Sequence, residues 1–275
     1  RNRKLTQIPV EVLRAALLEP VHRAEQLPGG KLARKVFIVD EAELLNPTGQ
    51  NLLLKTLEEP PAGTVVMLVT PSEDRLLPTI RSRCQRVLFV PLTDEAVRAW
   101  LAARGTAGVT AGDLEWIVEF AQGSPGRAEL ALRYGLAEWG RWVLPDLDRL
   151  AKTGGTRAGS LGADMAERID GFATAWVEAH DGGSKEAANK LASGLMWSAI
   201  ATHARKRIAE LAAAADPADP VAAEALVEPW LGVIDALGEA QRHLASNVNL
   251  SLVCDHLASV FARVLRGERL QPAGT

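Results

Sequence analysis

Val36-Phe37-Ile38-Val39-Asp40-Glu41 is the stretch that decides the fold. Its four consecutive apolar residues predict a strand buried on both faces, as in a parallel sheet with helices on each side. Upstream, residues 6–27 read as a helix, with Val10, Val12, Leu13, Leu17 and Leu18 on a rough helical stripe. Pro28, Gly29 and Gly30 end it. Downstream, Asn46 and Pro47 fit an N-cap and a first helical turn. Leu53, Leu54 and Leu57 supply that helix's buried face, and Pro60 and Pro61 stop it. Val65 to Val69 predicts a second buried strand ending at Thr70, Leu76 to Arg83 a short helix, and Val87 to Val90 a third strand. This alternation is the pattern of an α/β layer with parallel strands.

After Pro91 no further strand pattern occurs. Residues 94–103 and 113–121 read as short amphipathic helices, the second broken by Gly123 to Gly126. Beyond them everything reads as helix, interrupted by loops at 153–163, 181–184 and 216–220. The Gly-rich stretch 153–163 reads as a mobile connection. The clearest pattern is the last, where Val253, Leu257, Val260, Phe261 and Val264 recur at helical spacing. The fold class is α/β followed by all-α.

Composition narrows the function. At 275 residues, 47% hydrophobic and 24% charged, the chain is long enough for two or three domains with real cores. A net charge of −3 gives no global electrostatic argument for nucleic acid. Cys84 and Cys254 are too far apart for a zinc site or a disulfide framework, and read as reduced cytosolic thiols. The five histidines lack metal-ligand spacing. No apolar run approaches the ~18 residues of a membrane span. The first residues carry charges, Pro and Gly rather than a secretory pattern. The chain opens on Arg1 and reads as a processed or truncated form.

The chemistry begins at Asp40 and Glu41. A buried strand sets two carboxylates at its carboxyl end, where ligands bind in open α/β sheets. In this Walker-B-like arrangement the aspartate can hold Mg²⁺, and the glutamate can polarise a water against a terminal phosphate. An acidic pair after a strand also simply caps the next helix. The run Asn51-Leu-Leu-Leu-Lys-Thr-Leu-Glu-Glu-Pro-Pro61, followed by Arg81-Ser82-Arg83-Cys84, is more specific. Together these blocks resemble the bacterial DNA polymerase III clamp-loader family of AAA+ proteins, and within it most nearly the delta-prime type. The resemblance is specific from Val36 to Leu92. It is suggestive for Gly123-Ser-Pro-Gly-Arg-Ala128 and for the last thirty residues, where Asn247-Val248-Asn249 leads into the final helix.

The resemblance implies a partial AAA+ P-loop-type parallel-sheet domain over 1–91, a small helical lid over 92–135 and a helical collar domain over 136–275. It assigns Arg83 as an arginine finger acting in trans on a neighbouring subunit's ATP, a task suited to a permanently charged, forked guanidinium. The alternative for Arg83 is a surface arginine at a helix end. Glu41 becomes a Walker B glutamate, vestigial if no ATP binds. Asp40 becomes a Mg²⁺ ligand only where ATP is bound. Thr70 falls at the sensor 1 position, or simply satisfies a turn. Arg127 falls at sensor 2, where it could approach a nucleotide bound in its own subunit. An exposed apolar stripe on the last helix would serve assembly of the collar. The alternative is that it is core of its own domain. His203, Arg205, Lys206 and Arg207 read as a solvated helix face, and the seven tryptophans as core.

No Gly-rich phosphate loop ending in Gly-Lys-Ser or Gly-Lys-Thr occurs in the sequence, so ATP binding by this chain is not expected. The function implied is a non-catalytic, delta-prime-like subunit that helps load the sliding clamp onto primed DNA, with ATP and Mg²⁺ held by a neighbour. Its partners would be tau/gamma and delta subunits in a hetero-pentamer, the sliding clamp, and primer-template DNA through the complex. Its location would be cytoplasmic. The alternative is a tau/gamma-type ATPase whose P-loop lies upstream of Arg1. Any polymerase chemistry would be the holoenzyme's. Stoichiometry and direct DNA contacts are not legible in the sequence.

Overall fold

The computed structural model describes residues 7–22, 35–106, 108–153, 158–180 and 182–268. The chain divides into two compact units, Arg1–Phe89 and Val90–Thr275. The first is α/β and the second, among its described residues, is all-helical. The expected class, α/β followed by all-α, is the one observed.

The first unit opens with helix α1 (Val10–Leu13), a π-helical turn at Arg14–Leu18 and α2 (Glu19–Val21). The predicted stop at Pro28 to Gly30 lies outside the described residues. Strand β1 (Lys35–Val39) pairs in parallel with β2 (Thr64–Leu68), with Val36 opposite Val65 and Ile38 opposite Met67. Between them runs α3 (Pro47–Glu58). Its start is set as expected, with Asn46 Oδ1 accepting the Gly49 N–H at 2.8 Å and Pro47 in the first turn. The short α4 (Pro78–Arg81) follows β2. Leu13, Leu17, Ala42, Leu45, Leu53, Leu76 and Ile80 form the buried core, and Phe37, Val39, Val66 and Leu68 pack on it from one face of the sheet.

Two strand expectations are corrected. The strands were expected to be covered on both faces, yet Val36 and Ile38 are 57% and 64% exposed and Val65 and Met67 48% and 47%. Side chains alternate between faces along a strand, and among the described residues only the Phe37 and Val66 face meets helices. Val87 to Val90 forms no strand. All four side chains are exposed, Phe89 at 91%, and among the described residues no ladder partner lies alongside. An apolar run becomes a strand only when a neighbour takes its backbone hydrogen bonds.

The second unit holds α5 (Asp94–Arg104), α6 (Ala111–Ala121), α7 (Pro125–Arg133), α8 (Ala137–Thr153), α9 (Ala158–Glu178), α10 (Lys185–Ala214), α11 (Pro220–Ala245) and α12 (Leu250–Val264). Side-chain caps at Thr93, Thr110, Ser124, Ser184, Asp219 and Asn249 accept first-turn N–H groups and fix most of the starts. Helices α9 to α12 close on one another: α9 packs on α10 and α12, and α11 packs on the same two. Met165, Ile169, Met196, Ile200 and Phe261 are fully buried among them. Helices α5, α6 and α7 pack together, and α6 also meets α8 and α10. One loop expectation is shortened, because α9 already begins at Ala158, inside the stretch 153–163 expected as a connection.

Gly123 is required where it stands. Its φ is +75°, and a Cβ there would come within 2.5 Å of the Leu92 carbonyl oxygen. The last-helix stripe of Val253, Leu257, Val260, Phe261 and Val264 is buried within its own unit, not presented outward. The tryptophans are core, as expected: Trp139, Trp197 and Trp230 are buried and the other four pack partly against the same cluster.

Candidate functional site

The chain leaves β1 at Val39 and turns through Asp40 and Glu41, both exposed. Asp40 Oδ1 accepts the Glu41 N–H at 2.9 Å, and Glu41 sits in the left-handed region at φ 51°. The turn is tied to the end of the second strand. The Val69 N–H donates to the Val39 carbonyl and the Ala42 N–H to the Val69 carbonyl, each at 2.9 Å. These bonds place Thr70 beside the acidic turn. Its Oγ1 donates to Glu43 Oε2 at 2.7 Å and accepts the Ser72 N–H at 3.1 Å. Thr70 is thus engaged by Glu43, not by the two carboxylates singled out from the sequence, and it closes a turn. Among the described residues no three His, Cys, Asp or Glu side chains gather as metal ligands would.

Two residues missed by the sequence reading organise this unit. Gln50 is 3% exposed, on the buried face of α3. Its Nε2 donates to the Leu45 carbonyl at 2.9 Å and its Oε1 accepts the Leu77 N–H at 2.7 Å, joining the start of α3 to the approach of α4. Its helical spacing to Leu53, Leu54 and Leu57, three, four and seven residues on, was the available signal. The second is Glu58, the last residue of α3.

Arg83 follows α4, its N–H bonded to the Ile80 carbonyl at 3.0 Å, and it stays at the surface. Arg83 Nε donates to Glu58 Oε1 at 2.7 Å, and Nη2 donates to the same oxygen. Nη1 donates to the Thr79 carbonyl at 3.0 Å. The guanidinium is therefore displayed outward in a defined orientation, neither lost into the core nor left to sweep through solvent. Arg81 instead pairs with Asp74 at 3.5 Å. Cys84, half-buried, has its thiol pKa raised by desolvation, which keeps it out of thiolate chemistry.

Arg127 lies in the second unit and is engaged there. Ser124 caps α7, and Arg127 Nη2 donates to Ser198 Oγ on α10 at 2.6 Å. The guanidinium carbon lies 4.6 Å from the centre of the Phe120 ring. Burial pushes its pKa down, and the nearby positive charge of Arg205 adds to the effect. Three of the four residues of the basic cluster are paired on the helix face, not merely solvated: His203 Nε2 meets Asp148 at 3.0 Å, Lys206 meets Glu119 at 3.0 Å, and Arg207 meets Glu210 at 2.6 Å, while Arg205 is exposed.

Residues 16–93 match the family model described as DNA polymerase III, delta subunit. The chain is 36% identical over 119 residues to the DNA polymerase III subunit delta' of Pseudomonas aeruginosa, covering 43% of this chain and 36% of that protein. It is 43% identical over 101 residues to the Escherichia coli subunit delta', covering 37% of this chain and 29% of that one. Similarity extends to the gamma/tau subunit of Mycobacterium tuberculosis, 44% identical over 68 residues, which covers 25% of this chain and 12% of that protein. The chain thus spans about a third of the length of the delta' relatives it matches. The similarity to DNA polymerase III clamp-loader subunits is thus carried by the α/β unit.

Proposed function

We propose that this chain serves as a delta-prime-type subunit of a clamp loader, supplying Arg83 in trans to ATP held by a neighbouring subunit. The observation that carries the reading is the surface guanidinium of Arg83, oriented by Glu58 and Thr79 inside the family-matched segment. A finger of this kind offsets negative charge that develops on the transferred phosphoryl group, and its forked, permanent charge suits phosphate oxygens. ATP and Mg²⁺ belong to the neighbour in this account. The chain does not hydrolyse ATP itself, and Asp40 and Glu41 are vestigial. Residues 92–135 act as a lid and 136–275 as a collar that joins tau/gamma and delta subunits. The assembly acts in the cytoplasm, on the sliding clamp and primer-template DNA. Among the described residues no helix is long and apolar enough to cross a membrane.

Replacing Arg83 by Ala in the full-length protein, assembled with its partner subunits, lowers ATP turnover of the complex at least about tenfold, with assembly intact. Unchanged turnover counts against the reading. A second reading, a tau/gamma-type ATPase, draws on the similarity to a gamma/tau subunit and on the presence of both Asp40 and Glu41. Tight ATP binding by the isolated full-length protein, lost in Asp40→Asn, would favour it.

A further inference from the structure

We propose that Glu58 is the positioning residue for Arg83, an inference that rests on the finger reading above. The two lie 25 residues apart, one ending α3 and the other just past α4. Glu58 Oε1 takes both Nε and Nη2 of the guanidinium, while Nη1 reaches the Thr79 carbonyl at 3.0 Å and Ser82 Oγ at 3.4 Å. A guanidinium has five N–H groups. Among the described residues these bonds engage four of them, so the fork is held in one plane with a donor left over for a phosphate oxygen.

A long arginine side chain loses rotamer freedom when it docks, and a group that is already ordered loses less. Glu58 imposes that order in the free subunit. Its carboxylate is not a lock. The two side chains are 49% and 33% exposed, and half-hydrated pairs of this kind hold weakly. A triphosphate carries more charge than one carboxylate and can draw the fork outward, while α3 still sets the direction from which it comes.

The test uses the full-length protein assembled with its clamp-loader partners, read by steady-state ATP hydrolysis. Glu58→Ala lowers kcat at saturating ATP by about three- to tenfold, the range expected when a positioned group is loosened but not removed. The KM for ATP does not move. Glu58→Gln, which keeps an acceptor oxygen without the charge, falls between wild type and Glu58→Ala. Glu58→Ala adds nothing on an Arg83→Ala background, because the two act as one unit.

Several results overturn the proposal. If Arg83→Ala cuts turnover while Glu58→Ala leaves it unchanged, the finger stands and the positioning role falls. A rise in kcat for Glu58→Ala shows that the carboxylate restrains the finger and does not aim it. A further loss on the Arg83→Ala background shows an action independent of Arg83. A lower melting temperature or weaker assembly, with unchanged kcat per assembled complex, marks a structural contact only. If Arg83→Ala itself has no effect, both readings fall together.

Discussion

The two units use apolar residues in different ways. In the helical unit nearly every patterned apolar position is buried: the stripe of α12 and the faces of α9, α10 and α11 meet in one cluster that includes Phe261, Met196 and Ile169. In the α/β unit a small core of Leu13, Leu53 and Ile80 supports only one face of two strands, and Val36, Ile38, Val65 and Met67 remain exposed. The charged groups follow the same division. Arg127 and His203 are spent on partners inside the helical unit, whereas Asp40 and Glu41 stay at the surface of the α/β unit, as does Arg83, held there by Glu58. The contrast separates residues that stabilise a fold from residues left available to act.

The comparison breaks first where burial is deepest. Phe261→Ala removes a fully buried ring from the helical unit and costs about 3–5 kcal/mol, read as a lower denaturant midpoint for that unit's transition. A loss below about 1 kcal/mol would mean that the helical core is looser than its packing shows. At the other extreme, Ile38→Thr on the exposed sheet face changes stability by less than about 0.5 kcal/mol, since the side chain is 64% exposed and Thr retains strand preference. A large loss at Ile38 would instead show that this face is covered in solution. Both variants are compared by urea titration with a probe in each unit, so that the two transitions are resolved separately.

Much of this was legible in the sequence, for identifiable reasons. Asn46-Pro47 marked the start of α3, and Pro60-Pro61 its end, because both act locally on the backbone. The α12 stripe was visible because helical spacing repeats over several turns. The covering of the sheet was not. An unbroken run such as Val36 to Val39 places apolar residues on both faces and cannot say which face meets a helix. Val87 to Val90 looks the same from sequence, yet its pairing depends on a neighbour rather than on its own residues.

The site shows a similar split. Arg83, Thr70, Asp40 and Glu41 could be picked out because motif order marked them. Their partners could not, since the contacts of Glu58 with Arg83 and of Glu43 with Thr70 join positions 25 and 27 residues apart. Arg127 was chosen by motif as well, but only the packing of α7 beside α10 shows its guanidinium on Ser198 and Phe120. Side-chain partners depend on tertiary approach, which local pattern does not carry.

The central claim is that a forked guanidinium, and not positive charge alone, is delivered from residue 83 to a neighbour's nucleotide. Arg83→Lys in the full-length protein, assembled with its partners and assayed for ATP turnover, tests it most directly, because lysine keeps the charge and loses the fork. The account predicts a loss close to that of Arg83→Ala, with the complex still assembled. Turnover at the wild-type level in the lysine variant would contradict it.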